Sequence, residues 1–142
     1  MNNKKGIKDK INILHLKMNL INPIKVLLVD DNTLIRLSFR HLLRSVPNLK
    51  VVGECSDGSE VITFLENNKV DLIFMDIVMK NVDGFQATRK VKENYPHVKV
   101  IAFSSLDYNS SADRMKKSGA DGFISKFEAD KSRIISELKK IM

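Results

Sequence analysis

A doubly wound α/β fold with a parallel five-stranded sheet is what this 142-residue sequence predicts, on three observations. From Ile24 onward, short β-branched runs alternate with stretches of helical periodicity, the pattern of parallel strands joined by covering helices. Capping and stop residues punctuate the boundaries. Four of the five apolar runs end in a polar residue suited to metal or phosphate chemistry, at the sheet edge where open α/β folds place their ligand sites.

The first strand is read near residues 24 to 29, followed by a helix over about 33 to 45. Leu34, Leu37 and Leu42 recur at helical spacing there, and the helix stops before Pro47, which an interior helical position does not tolerate. A strand near 50 to 54 precedes a helix over 58 to 67, opened by the capping cluster Ser56-Asp57-Gly58-Ser59. The third strand, 71 to 75, leads to a helix over 84 to 94 with Pro96 just beyond it. The fourth, 98 to 103, leads to a helix over 109 to 118, opened by Asn109-Ser110-Ser111 and ended by Gly119. A strand near 121 to 125 and a helix over 129 to 141 complete five β/α units.

Residues 1 to 23 differ from the rest. They carry five lysines against one acid, +4 of the net +7, so the basic character is mainly an N-terminal property. Ile7, Ile11, Leu14, Met18 and Ile21 recur at spacings of four and three, so the segment is read as a helical or disordered extension before a domain spanning 24 to 142. An accessory role is the plain reading; a partner-docking helix or a weak membrane-surface helix are the alternatives.

Composition excludes several classes. One cysteine, Cys55, rules out an internal disulfide framework and fits a reducing compartment. No apolar run approaches the roughly 20 residues of a membrane span, and polar residues interrupt any secretory core near the N-terminus, so a cytoplasmic location without membrane association is expected. No basic stripe with interleaved aromatics and no helix-turn-helix pattern is present, so this chain is not expected to bind nucleic acid itself. His15, His41 and His97 lie in separate segments with no metal-ligand spacing.

Chemistry concentrates at the strand ends. Asp30 and Asp31 close the first strand and Asp76 the third; parallel neighbours would bring the three carboxylates together, and a hard divalent cation such as Mg²⁺ relieves their repulsion. Ser104 ends the fourth strand and Lys126 the fifth, each able to contact a phosphoryl oxygen. Taken singly, each has a plainer reading: a helix cap for the aspartates, a turn residue for Ser104 and a solvated strand end for Lys126.

In the pattern Val29-Asp30-Asp31-Asn32, Met75-Asp76-Ile77-Val78-Met79, Asp83-Gly84, Ser104-Ser105 and Gly119-Ala120-Asp121-Gly122-Phe123 before Lys126, the sequence resembles the receiver domain of two-component response regulators over about 24 to 141. The segment Val51 to Gly58 is similar to receivers of the nitrate-responsive class. The resemblance implies a flavodoxin-like (βα)5 fold with strand order 2-1-3-4-5. It implies Asp76 as acceptor of a phosphoryl group from a sensor histidine kinase or phosphotransfer protein. Asp31, Asp76 and the Val78 main-chain carbonyl would ligate Mg²⁺, with Asp30 acting through water. Lys126 would pair with the phosphoryl group, Ser104 would hydrogen-bond it, and Phe123 would be the rotating switch aromatic. It also implies a downstream protein target and, on phosphorylation, a homodimer through the last two helices.

Two departures from the family pattern stand out. Lys80 and Phe127 occupy positions where many receivers have proline, and a trans bond before Phe127 is expected because a non-proline cis bond costs roughly 2.5–4 kcal/mol. The last helix reaches the final residue with no linker, so a stand-alone receiver is expected, with a fragment of a longer DNA-binding regulator as the alternative. A phosphatase of the haloacid-dehalogenase kind is the remote alternative; that family needs a second aspartate where Val78 stands. Val78 and Leu106 offer no polar atom to orient a hydrolytic water, so slow self-dephosphorylation is expected. A half-life of seconds in the isolated protein, unchanged by polar substitutions at both positions, would contradict this.

Overall fold

Side-chain alternation along the strands sorts the core into two layers. In the computed structural model, which describes residues 3–10, 22–105 and 108–142, five parallel strands are β1 (Ile24–Val29), β2 (Leu49–Cys55), β3 (Leu72–Met75), β4 (Lys99–Ser104) and β5 (Gly122–Ser125). Their order is β2-β1-β3-β4-β5, the flavodoxin-like order expected. The helices are α1 (Thr33–Leu43), α2 (Val61–Asn67), α3 (Gly84–Asn94), α4 (Tyr108–Lys117) and α5 (Lys131–Ile141). Val26, Leu28, Leu72, Phe74, Ile101, Phe103 and Ile124 face α1 and α5. Their sequence neighbours Leu27, Val29, Ile73, Met75, Val100, Ala102 and Phe123 face α2, α3 and α4. Period two in a sheet covered on both sides produces this division.

The leucine repeat marks α1 but not its buried face. Leu34 and Leu37 point outward, 72% and 63% exposed, and the helix is instead anchored by buried Phe39 and Leu43. The Phe39 ring stacks on Phe103 at 4.1 Å and meets Phe74 edge-on at 4.9 Å, fixing α1 against β3 and β4. Leucine spacing alone does not show which face an adjacent aromatic will take inward.

Other helix boundaries also shift. A 3-10 turn, Gly58–Glu60, precedes α2, and α5 begins only after the N-cap Asp130. Asn109-Ser110-Ser111 lie in the first turn of α4 rather than before it, because the helix begins at Tyr108. Gly119 turns the chain out of α4 with φ +104°, a left-handed conformation that costs glycine little. No cis peptide bond occurs among the described residues, in line with the trans bond expected before Phe127. Residues 3–10 are helical and exposed, while the rest of the expected apolar stripe, from Ile11 to Ile21, lies outside the described residues.

The loop joining β3 to α3 is tied down from another element. Asp57, 6% exposed, caps the turn before α2 by accepting from the Ser59 N–H at 2.9 Å, and reaches across to accept from the Asn81 N–H at 3.0 Å. The loop that carries Lys80 is therefore tethered. At its far end a Cβ on Gly84 would lie 2.1 Å from the Asp76 carbonyl oxygen, so only glycine lets α3 start this close to β3. Burial opposes the Asp57 charge, but hydrogen bonds from Ser59, Asn81 and Val82 outweigh it and hold the carboxyl down at about 2. A depressed acid stabilises the fold above its unfolded pKa, near 4, and that contribution is lost as pH falls toward 2. Asp57→Ala is expected to cost about 2 kcal/mol in urea unfolding at pH 7, with the difference from the parent shrinking between pH 4 and 2.

Candidate functional site

Strand pairing sets the acidic cluster. Val29 pairs with Met75 at the ends of β1 and β3, so the next residue on each, Asp30 and Asp76, emerge side by side. The Asp76 N–H donates to the Val29 carbonyl at 2.8 Å. Asp31 follows directly, and one oxygen from each of the three carboxylates lies within 4.8 Å of the others. Asp30 and Asp76 are buried, whereas Asp31 is exposed.

The other two polar ends converge through β4 and β5. Ser104 pairs with Ser125 in the last register position, and the Lys126 N–H donates to the Ser104 carbonyl at 2.9 Å. The Lys126 ammonium thereby stands 2.6 Å from Asp30 Oδ2 and 3.3 Å from Asp76 Oδ1. Ser104 is buried at the end of β4. Five of the sequence-derived site residues, Asp30, Asp31, Asp76, Ser104 and Lys126, thus share one sheet edge.

Phe123 and Val78 are placed differently from those five. Phe123 packs in the buried layer under α3 and α4, one strand position after Gly122. Val78 lies in the loop after Asp76 with its side chain 59% exposed. Leu106 lies outside the described residues.

Burial and the neighbouring Asp30 charge push the Asp76 carboxyl up to about 6, only partly offset by the Lys126 ammonium and the Ile77 N–H. Asp30 Oδ1 accepts from the Asn32 N–H at 2.9 Å. Its buried Oδ2 touches the ammonium outside hydrogen-bond geometry and has no aligned donor. A buried carboxylate oxygen without a directed donor, in an all-oxygen set of three acids, fits a hard divalent cation such as Mg²⁺. Among the described residues no other group of histidines, cysteines and acids is arranged to hold a metal. The Cys55 thiol is pushed up to about 12, by burial first and Glu60 next, which leaves it an inert core group.

Sequence reasoning missed three supports of the site. Asp57 was visible only as a cap. Arg36, whose guanidinium donates to the Asp30 carbonyl, gave no signal of that role, because its ionic partner Glu54 lies on β2. Arg133 and Glu137 form an i,i+4 pair on α5, which is legible in sequence, but their grip on β5 is not. Arg133 donates to the Phe123 carbonyl at 2.9 Å, and the Phe123 N–H approaches Glu137 Oε1 at 3.4 Å.

A family model described as "Response regulator receiver domain" matches residues 26–139. The chain belongs to the response regulator receiver family. This receiver is 34% identical over 118 residues to the response regulator UvrY of Escherichia coli strain K12, covering 83% of the chain and 54% of UvrY. It is also 34% identical over 120 residues to the transcriptional regulatory protein DegU of Brevibacillus brevis, covering 84% and 50%. The chain spans about half the length of these curated relatives. The solved response regulator domain of Thermotoga maritima CheB superposes with a TM-score of 0.75 at 29% identity, covering 84% of this chain and 96% of that one. These likenesses belong to signalling proteins, and no helix among the described residues is long and apolar enough to cross a membrane.

The raised Asp76 pKa has a stability consequence in the metal-free receiver. An acid whose folded pKa is raised contributes stability below its unfolded value, near 4, and loses it as pH rises through about 6. Asp76→Asn is expected to stabilise the protein by about 2 kcal/mol at pH 7.5 in chelator, with the gain fading between pH 6 and 4 in thermal or urea unfolding.

Proposed function

We propose that this receiver accepts a phosphoryl group on Asp76 from the phosphohistidine of a sensor histidine kinase or phosphotransfer protein, and signals by changing a protein-binding surface. The observation that carries this reading is the meeting of Asp76, Asp30, Asp31 and Lys126 at one sheet edge. A buried carboxylate flanked by acids and one ammonium suits an acceptor that needs charge neutralised before an anionic donor can approach.

Asp31, Asp76 and the Val78 main-chain carbonyl would hold Mg²⁺, with Asp30 acting through water. When bound, the ion supplies positive charge against the phosphoryl oxygens. An Asp76 carboxylate oxygen attacks phosphorus; the P–O bond forms as the P–N bond to the donor imidazole breaks, and the imidazole nitrogen takes the electron pair and then a proton. Lys126, which contacts both buried aspartates, turns its ammonium to a phosphoryl oxygen. The Ser104 hydroxyl hydrogen-bonds another oxygen, and its displacement makes room for the Phe123 ring.

The change at β5 passes to the face of α4 and α5, where a target protein or a second copy would bind. Exposed Leu34 and Leu37 on α1, beside the acidic edge, offer an apolar surface to the phosphoryl donor protein. Val78 supplies no carboxylate two residues after Asp76, which disfavours phosphatase turnover. A cytoplasmic setting, no membrane contact and no nucleic-acid binding by this chain go with the reading. The nitrate-responsive likeness rests on Val51 to Gly58 alone.

A second reading is favoured by coverage: spanning half of relatives that include a transcriptional regulatory protein, the chain would be the receiver part of a longer DNA-binding regulator. Both readings predict the same chemistry at Asp76. Acetyl phosphate is expected to label the parent only with Mg²⁺ present, and Asp76→Asn is expected to lose labelling by at least about a hundredfold. Persistent labelling of that variant would refute the assignment.

A further inference from the structure

Every polar backbone and side-chain atom of Asp30 meets a different part of the fold. Its N–H donates to the Cys55 carbonyl at 3.1 Å, Oδ1 accepts from the Asn32 N–H, and Oδ2 touches the Lys126 ammonium. The remaining atom, its carbonyl oxygen, accepts from Arg36 Nη1.

That carbonyl belongs to the peptide unit joining Asp30 to Asp31. Because the unit is planar, fixing its oxygen also fixes the N–H and Cα of Asp31. The Asp31 carboxylate itself makes no hydrogen bond or ion pair among the described residues and is exposed. The backbone therefore fixes its Cα–Cβ direction, and only χ1 and χ2 remain to place its oxygens.

Arg36 is itself held from both sides. Its Nη2 lies 3.4 Å from Thr33 Oγ1, and its buried Nε faces Glu54 Oε1 at 3.3 Å as an ion pair outside hydrogen-bond geometry, while Arg40 holds the other Glu54 oxygen at 2.7 Å. The side chain is only 15% exposed, so it is not a solvated surface arginine. A fork braced at two points gives a fixed donor, which a lysine on a flexible stem does not reproduce.

We propose that Arg36 is a positioning residue for the cation site: braced by Glu54 and Thr33, it locks the Asp30–Asp31 peptide and so aims the otherwise unsupported Asp31 carboxylate. The inference rests on the proposed Mg²⁺ and phosphoryl role of the aspartate cluster. Charge and position make opposite demands at this site. If Arg36 acted only as a nearby positive charge, removing it would tighten binding of a divalent cation. If it positions Asp31, removing it weakens binding.

Calorimetric titration with Mg²⁺ separates the two. Arg36→Met, which keeps the apolar stem, is expected to raise the Mg²⁺ dissociation constant about tenfold, the usual effect of losing a group that orients a ligand. Arg36→Lys is expected to fall between that variant and the parent, and carries the test if Arg36→Met does not fold. In acetyl phosphate labelling, the half-saturating Mg²⁺ concentration should rise by the same factor while the rate at saturating Mg²⁺ is retained. Unchanged or tighter Mg²⁺ binding in the variants, even with a lowered melting temperature, overturns the positioning role. A parent that binds no Mg²⁺ and takes no label overturns the underlying functional reading instead.

Discussion

Two buried carboxylates, Asp30 and Asp76, share one ammonium, and much of the architecture serves to bring that ammonium to them. Like charges this close cannot both remain ionised in a buried setting without a counter-charge. Lys126 comes from the far end of the chain, and it reaches the pair because β3 and β4 lie between β1 and β5 in register. The Asp76 proton affinity is raised by burial first and by the Asp30 charge second, and Lys126 offsets the two only in part. A divalent ion and an incoming phosphoryl group are the complementary charges such an edge suits, and the receiver family is built around that chemistry.

The loops at this edge are braced by groups that touch neither metal nor phosphoryl group in the proposed mechanism. Asp57 ties the segment after β3 to the turn before α2, and Gly84 allows α3 to begin against the Asp76 carbonyl. Arg36 does the corresponding work after β1. Asp57 and Arg36 each give a backbone polar group a partner, and a buried group left without one costs about 1–3 kcal/mol. The same logic holds at β5, an edge strand whose Phe123 backbone is covered by Arg133 and Glu137 of α5. That clamp joins Phe123, the proposed switch residue, to α5.

Much of this was legible in the chain. Strand positions followed from apolar runs, and the site followed from the residues closing them: Asp30, Asp31, Asp76, Ser104 and Lys126 all reached one edge. Helix details were less legible. Leu34 and Leu37 marked the helix by their spacing, yet Phe39 is the residue that packs inward, against Phe74 of β3 and Phe103 of β4. Asn109 to Ser111 read as a cap, but α4 begins at Tyr108.

What the sequence by itself determined was the alternation of elements and the chemistry at their ends, because period-two and helical patterning and residue type are local properties written in order along the chain. Only the tertiary structure decided which strand ends become neighbours, how far Lys126 stands from each aspartate, and that Arg36, Asp57 and Glu137 support the site. Those facts depend on side chains distant in sequence meeting across the sheet, and burial, proton affinity and hydrogen-bond geometry exist only once they have met.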